Sequence, residues 1–159
     1  MKKHLWTPIV ALALAGGFVA EATAQANPNQ LIGARKSAMV LQGKYFNPVL
    51  AMAMGGVPYD AAIVKRNADY LAVLTQLAWD DFQPHTVGGA NTRAKEDIYK
   101  DAPKFKGRVD AFQADVKKLA TAAQAGDQAG VTASAKTVGS SCNSCHEAFT
   151  TIEWRIKVQ

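Results

Sequence analysis

Four stretches of this chain repeat apolar residues at spacings of three and four, and no stretch alternates as a strand would. The first, from about Gln30 to Met54, carries Ile32, Arg35, Met39, Gln42, Phe46, Leu50 and Ala53 on one face. Gly43 is tolerated inside it, and Pro48 either kinks it or moves its boundary. The second is announced by Pro58 and by Asp60, a candidate N-cap, and carries Ile63, Val64, Asn67, Leu71, Leu74 and Ala78. The third starts near Asp101 or Pro103 and carries Phe105, Val109, Phe112, Val116, Leu119 and Ala123. The fourth is expected to run from about Gln128 to the C-terminus, through Val131, Ala135, Val138, Cys142, Cys145, Phe149, Ile152 and Ile156. Gly55-Gly56 and Gly126-Asp127 break the chain so briefly that the helices on either side must be antiparallel. Between the second and third lies a long connection from Trp79 to about Asp97, rich in the turn formers Asp80, Asp81, Pro84, Gly88, Gly89 and Asn91. Trp79 and Phe82 are expected to pin its start to the core. The pattern predicts an all-α fold, an antiparallel up-down four-helix bundle.

The N-terminus reads as a segment that is removed. Met1-Lys2-Lys3-His4 is basic, Leu5 to Ala20 is apolar, and small residues follow at Ala22-Thr23-Ala24-Gln25-Ala26. This is the layout of a secretory signal peptide cut after Ala24 or Ala26, leaving one domain at 25–159. The apolar run is short for a bilayer span and contains Gly16 and Gly17, so no membrane span is expected in the mature chain. The formal charge of +5 loses two basic residues and one acidic residue with the leader, leaving +4. No dense basic block accompanies that mild surplus, which argues against nucleic acid as a partner. A small exported domain has a thin core and gains from a bulky apolar group held within it.

Cys142-Asn143-Ser144-Cys145-His146 carries the chemistry. Cys-x-x-Cys-His is the attachment signal of a c-type haem. Two thiols one helical turn apart match the two haem vinyl groups, and the next residue brings an imidazole to the iron. Attachment outside the cytoplasm agrees with the leader. Zinc would need about four protein ligands, and beyond these three only His85 and scattered carboxylates are on offer. A redox dithiol belongs early in a helix after a strand, whereas this pair lies deep in a terminal helix. The reading is one covalent haem c, bound by Cys142 and Cys145, with His146 as metal ligand.

The opposite axial position decides what such an iron does. Met39, mid-helix on the inward stripe, is the better candidate there, and core packing is its alternative role. Met52 and Met54 are weaker, and His85 sits in the polar connection. Arg35 lies one turn before Met39 and, if buried, needs an anion such as a haem propionate; a solvated place at the bundle edge explains it equally well.

With these residues in view, the mature chain resembles the class II c-type cytochromes, and most closely cytochrome c'. The resemblance rests on the haem group in the last helix and on Arg35 with Met39 in the first. Val57-Pro58-Tyr59-Asp60-Ala61-Ala62, Leu77-Ala78-Trp79, the Gly88-Gly89 loop and the Ala125-Gly126-Asp127 turn add to it. It implies a periplasmic electron-transfer protein that is not an enzyme, with redox partner proteins and a homodimer packed through the first two helices. It also implies a five-coordinate iron that binds nitric oxide and carbon monoxide, with the residue at position 39 screening the distal face. In the related low-spin cytochromes c-556 a methionine at that position is the sixth ligand, so Met39 fits both. One departure stands out. The family usually carries arginine or lysine four residues after the haem histidine, and here that residue is Thr150.

Overall fold

The computed structural model describes residues 27–153 and 155–158, so the expected leader lies outside the described residues. Four long helices, α1 (Pro28–Ala53), α2 (Ala61–Leu74), α4 (Ala102–Gln124) and α5 (Gln128–Phe149), are joined by one short helix, α3 (Asp97–Lys100). The only pairing outside helices among the described residues is an isolated antiparallel bridge between Ala94 and Thr150. The all-α reading therefore holds.

Each long helix begins where a polar side chain satisfies the amides that its first turn leaves over. Asn27, Asp60, Asp101 and Asp127 accept from backbone N–H groups at the starts of α1, α2, α4 and α5. Two of the ends need glycine. Gly55 (φ 74°) and Gly126 (φ 68°) take up the left-handed conformation just past α1 and α4. In both turns the next residue's N–H reaches back to a carbonyl in the last turn, Gly56 to Ala51 and Asp127 to Ala122. α1 continues through Pro48 without a break in its span.

Cross-helix bonds fix the directions. Gln42 of α1 donates to the Leu74 carbonyl at the end of α2, and Thr132 near the start of α5 donates to the Ala53 carbonyl at the end of α1. Gln113 and Gln124 of α4 reach Thr75 and Asp69 in the reverse order of α2. Arg108 and Asp115 of α4 meet Ser144 and Ser141 of α5 in the same reversed sense. The bundle is up-down-up-down, with α1 packed on α2 and α5, and α4 packed on α2 and α5.

The apolar stripes converge on a main core that includes Phe46, Val49, Leu71, Phe112, Leu119 and Val138. A smaller cluster of Ala94, Ile98 and Phe149 lies under the long connection, with Phe82, Phe105 and Cys145 packed against it. Trp79 does anchor the start of that connection, stacking on Phe82 and meeting Phe105 and Phe112 edge-on.

Two boundaries differ from the sequence expectation. α2 stops at Leu74, although Ala78 is fully buried in the turn that follows. More consequentially, α5 stops at Phe149 instead of reaching the C-terminus. Thr150-Thr151-Ile152 is a β-branched run with poor helix propensity. Thr150 turns extended, and its N–H and hydroxyl both donate to the His146 carbonyl, at 3.0 and 2.8 Å. The chain then pairs with the long connection, where Lys95 N–H donates to the Phe149 carbonyl and Thr151 N–H to the Arg93 carbonyl, both at 2.9 Å.

Leu119 is fully buried in the main core. Leu119→Ala is expected to lower unfolding free energy by about 2–5 kcal/mol, measured by urea denaturation followed by circular dichroism.

Candidate functional site

The two clusters touch through Trp79, which packs on the main core and against Phe82 and Phe105 of the smaller one, and elsewhere they stand apart. Between them lies a cavity of about 710 Å³, walled by Phe46, Leu71 and Phe112 on one side and by Ala94, Ile98 and Phe149 on the other. That volume is within the range of built ligand sites. Arg35, Lys36, Lys44, Arg93 and Arg108 also line it, and among the described residues no aspartate or glutamate does. The space is thus apolar within and cationic in its charged lining, which suits an apolar ring that carries carboxylates.

α5 presents its motif to this space. Cys142, Cys145 and His146 all line the cavity, because the helical period puts the two thiols one turn apart on the inward stripe. Both thiols are free. Burial, with Cys145 close by, pushes the Cys142 thiol up to about 12, and burial pushes Cys145 up to about 11, partly opposed by the charge of Arg108. Both are therefore neutral thiols at neutral pH. Burial draws His146 below the usual histidine range and favours the neutral imidazole, the form that ligates a metal. Arg108 was not singled out from the sequence, since it stands one position before Val109 and off the apolar stripe of α4. It donates to the Ser144 hydroxyl at 3.1 Å, which places a fixed positive charge beside the motif.

Residues 30–150 match the family described as Cytochrome C'. Cytochrome c' from Alcaligenes xylosoxydans xylosoxydans is 39% identical over 124 residues, covering 78% of this chain and 95% of that protein. A cytochrome c-556 from Agrobacterium tumefaciens (strain apple 185) is 34% identical over 105 residues, covering 62% and 77%. The crystal structure of cytochrome c' from Rubrivivax gelatinosus superposes with a TM-score of 0.74 at 36% identity, over 79% of this chain and 98% of that one. The chain belongs to the cytochrome c' family. Within that family frame, the remaining site residues of the sequence reading can be placed.

Met39 lines the cavity, as do Arg35 and Gln42 of the same α1 stripe. Met52 and Met54 pack instead against the main core, away from the cavity lining, and His85 is exposed in a 3₁₀ turn (Pro84–Thr86). Arg35 is 4% exposed, which removes the solvated alternative. Its partners are neutral oxygens of the long connection: the Asp81 carbonyl at 3.2 Å, the Thr86 hydroxyl at 2.9 Å, the Thr86 carbonyl at 2.8 Å and the Thr92 hydroxyl at 2.8 Å. Phe82 covers the guanidinium at 4.3 Å. Burial lowers the Arg35 pKa, and the charges of Asp81 and Tyr99 pull it back. Of the two roles the sequence left open for Arg35, the solvated one is removed by burial, and its hydrogen bonds tie the connection down beside the cavity it lines. That role was invisible in the sequence because carbonyls and threonine hydroxyls some 50 positions away carry no signature.

Arg35→Ala removes four hydrogen bonds and takes the guanidinium donor from the Thr86 carbonyl, while the Asp81 carbonyl and the Thr86 and Thr92 hydroxyls keep partners within the connection. It is expected to cost about 2–4 kcal/mol of stability and to speed amide exchange over residues 81–92, with Arg35→Lys restoring only part because a single ammonium cannot span the same acceptors. Denaturant unfolding and hydrogen exchange read both effects.

Proposed function

We propose that this protein is a periplasmic c-type haem protein that transfers electrons and binds small gases such as nitric oxide and carbon monoxide at a five-coordinate iron. Cys142 and Cys145 hold one haem by two thioether bonds, each thiol adding its sulfur and its hydrogen across a vinyl group. His146 ligates the iron. The haem supplies the redox-active metal, and redox partner proteins exchange electrons with it. The observation that carries the reading is the placement of all three motif side chains on the wall of an apolar, cation-lined cavity.

The lining supports an occupant: the cavity is apolar within and open to solvent at its rim, so an apolar group seated there would take that surface out of water. The residues present fit the group: thiols and imidazole on one helix, an apolar interior, and arginines and lysines for propionates. On the far side, Met39 screens the iron without ligating it. Arg35 and Gln42, the polar side chains of that stripe, both donate to backbone oxygens, which leaves the distal face without an evident acid–base group and supports a carrier over an enzyme. A nitric oxide complex of a cytochrome c prime variant from Alcaligenes xylosoxidans, 37% identical with a TM-score of 0.74, supports the gas-binding part of the reading.

The outer faces of α1 and α2, with the turn after α2, support a homodimer. Val40 of α1, Val73 of α2 and Leu77 of that turn are 70%, 63% and 60% exposed, and Tyr70 of α2 packs edge-on with Tyr45 of α1. Val73→Glu with Leu77→Glu is expected to sediment as a monomer where the parent chain sediments as a dimer.

The main test is mass and spectrum together. Exported protein is expected to carry the mass of one haem. Cys142→Ala and Cys145→Ala are each expected to lose covalent attachment through that sulfur, read as a changed pyridine haemochrome. A high-spin ferric spectrum, unchanged in character in Met39→Ala, is expected. A low-spin spectrum lost in that variant would replace the five-coordinate reading with the six-coordinate one of the cytochromes c-556.

A further inference from the structure

The segment after α5 is more than a loose end. From Thr150 it pairs with the long connection, then doubles back along the helix it has just left. Ile156 N–H donates to Asn143 Oδ1 at 2.8 Å, and Asn143 Nδ2 donates to the Ile156 carbonyl at 2.8 Å. A single side-chain amide thus satisfies both backbone groups of one residue, as a neighbouring strand would. Ile156 packs against the main core. A Cβ on Gly139, one turn of α5 further back, would collide with Val158 and crowd Ile156, so the bare backbone there is what lets the returning chain lie flat. Arg155 adds an ion pair to Glu147 at 3.2 Å, largely exposed and worth little. Ile152 and Ile156 line the same cavity as Cys142, Cys145 and His146.

We propose that Asn143 is a positioning residue: it holds the C-terminal return segment as a wall of the cavity, so that Ile152 and Ile156 restrict what reaches the haem. The proposal rests on the haem reading above for its access role, but its holding role is independent of haem. Asn143 stands between the two cysteines, where the attachment signal itself places no demand on residue type. Its amide is turned instead toward the chain's own C-terminal segment. The wall is apolar and thin, two isoleucines deep: its near end is bonded to the long connection at Thr151, and its far end is held at Ile156 by Asn143. Access past it should therefore depend on ligand bulk more than on ligand polarity.

The test uses the exported full-length protein and two variants that act on different atoms. Asn143→Ala removes both amide bonds, and Gly139→Ala displaces Val158 while leaving Asn143 in place. Each is expected to speed hydrogen exchange at the Ile156 amide about tenfold or more, with helical circular dichroism unchanged. Each is also expected to raise the association rate of n-butyl isocyanide to the ferrous protein relative to that of carbon monoxide. Unchanged exchange at Ile156 in both variants would overturn the holding role. Faster exchange with an unchanged ratio of the two ligand rates would overturn the access role. Protein without the mass of a haem would overturn the access role together with the proposed function, and exchange at Ile156 would still decide the holding role.

Discussion

The division of the apolar interior into two clusters, joined through Trp79 and parted by a cavity elsewhere, is the constraint from which the site follows. Four helices of this length can close a bundle around one continuous core, with leucine and phenylalanine filling the space between them. Here α4 and α5 carry their stripes into two bodies instead. Phe112 and Val138 belong to the main core, while Phe105 and Phe149 turn to the cluster under the connection. The gap between them is where Cys142, Cys145 and His146 emerge. A bundle divided in this way is short of apolar contact around the cavity, and a large flat apolar group would restore it. Cofactor and core are on this view parts of one packing problem.

Closure of the cavity is the work of irregular chain, and polar bonds hold that chain in place. Arg35 fastens the connection to α1, and the bridge at Ala94 and Thr150 fastens it to the end of α5. Buried polar bonding is directional, and fully satisfied it specifies one arrangement of a loop that apolar contact alone would leave loosely defined. The division of labour is consistent: helices supply the chemistry-bearing side chains, and loops supply the walls.

The periodic parts of this architecture were readable before any coordinates. Every residue assigned to the α4 stripe faces inward, and Asp60 and Asp101 cap their helices as their positions imply. The cysteine pair and its histidine were legible because Cys-x-x-Cys-His is a spacing that points to one chemistry. What could not be read was long-range and polar. Nothing in local sequence says that Arg35 will meet Thr86 and Thr92, or that Asn143 will bind Ile156. The apolar stripe of α5 even misled, because Ile152 and Ile156 keep the helical spacing yet lie beyond the helix end, Ile152 on the cavity wall and Ile156 on that wall and the main core. Spacing reports which residues are buried, and backbone propensity together with tertiary pairing decides by what route they get there.

The bridge between Ala94 and Thr150 has one mechanical consequence. Arg35 donates to the Thr92 hydroxyl, which accepts in turn from the Ala94 amide; the backbone beside Ala94 is bonded to the chain around Thr150, and Thr150 is bonded twice to the His146 carbonyl. Opposite sides of the site are strung in series through a few short links. Neither is sprung independently of the other, and the compliance of the histidine-bearing turn is set in part by an arginine on a different helix.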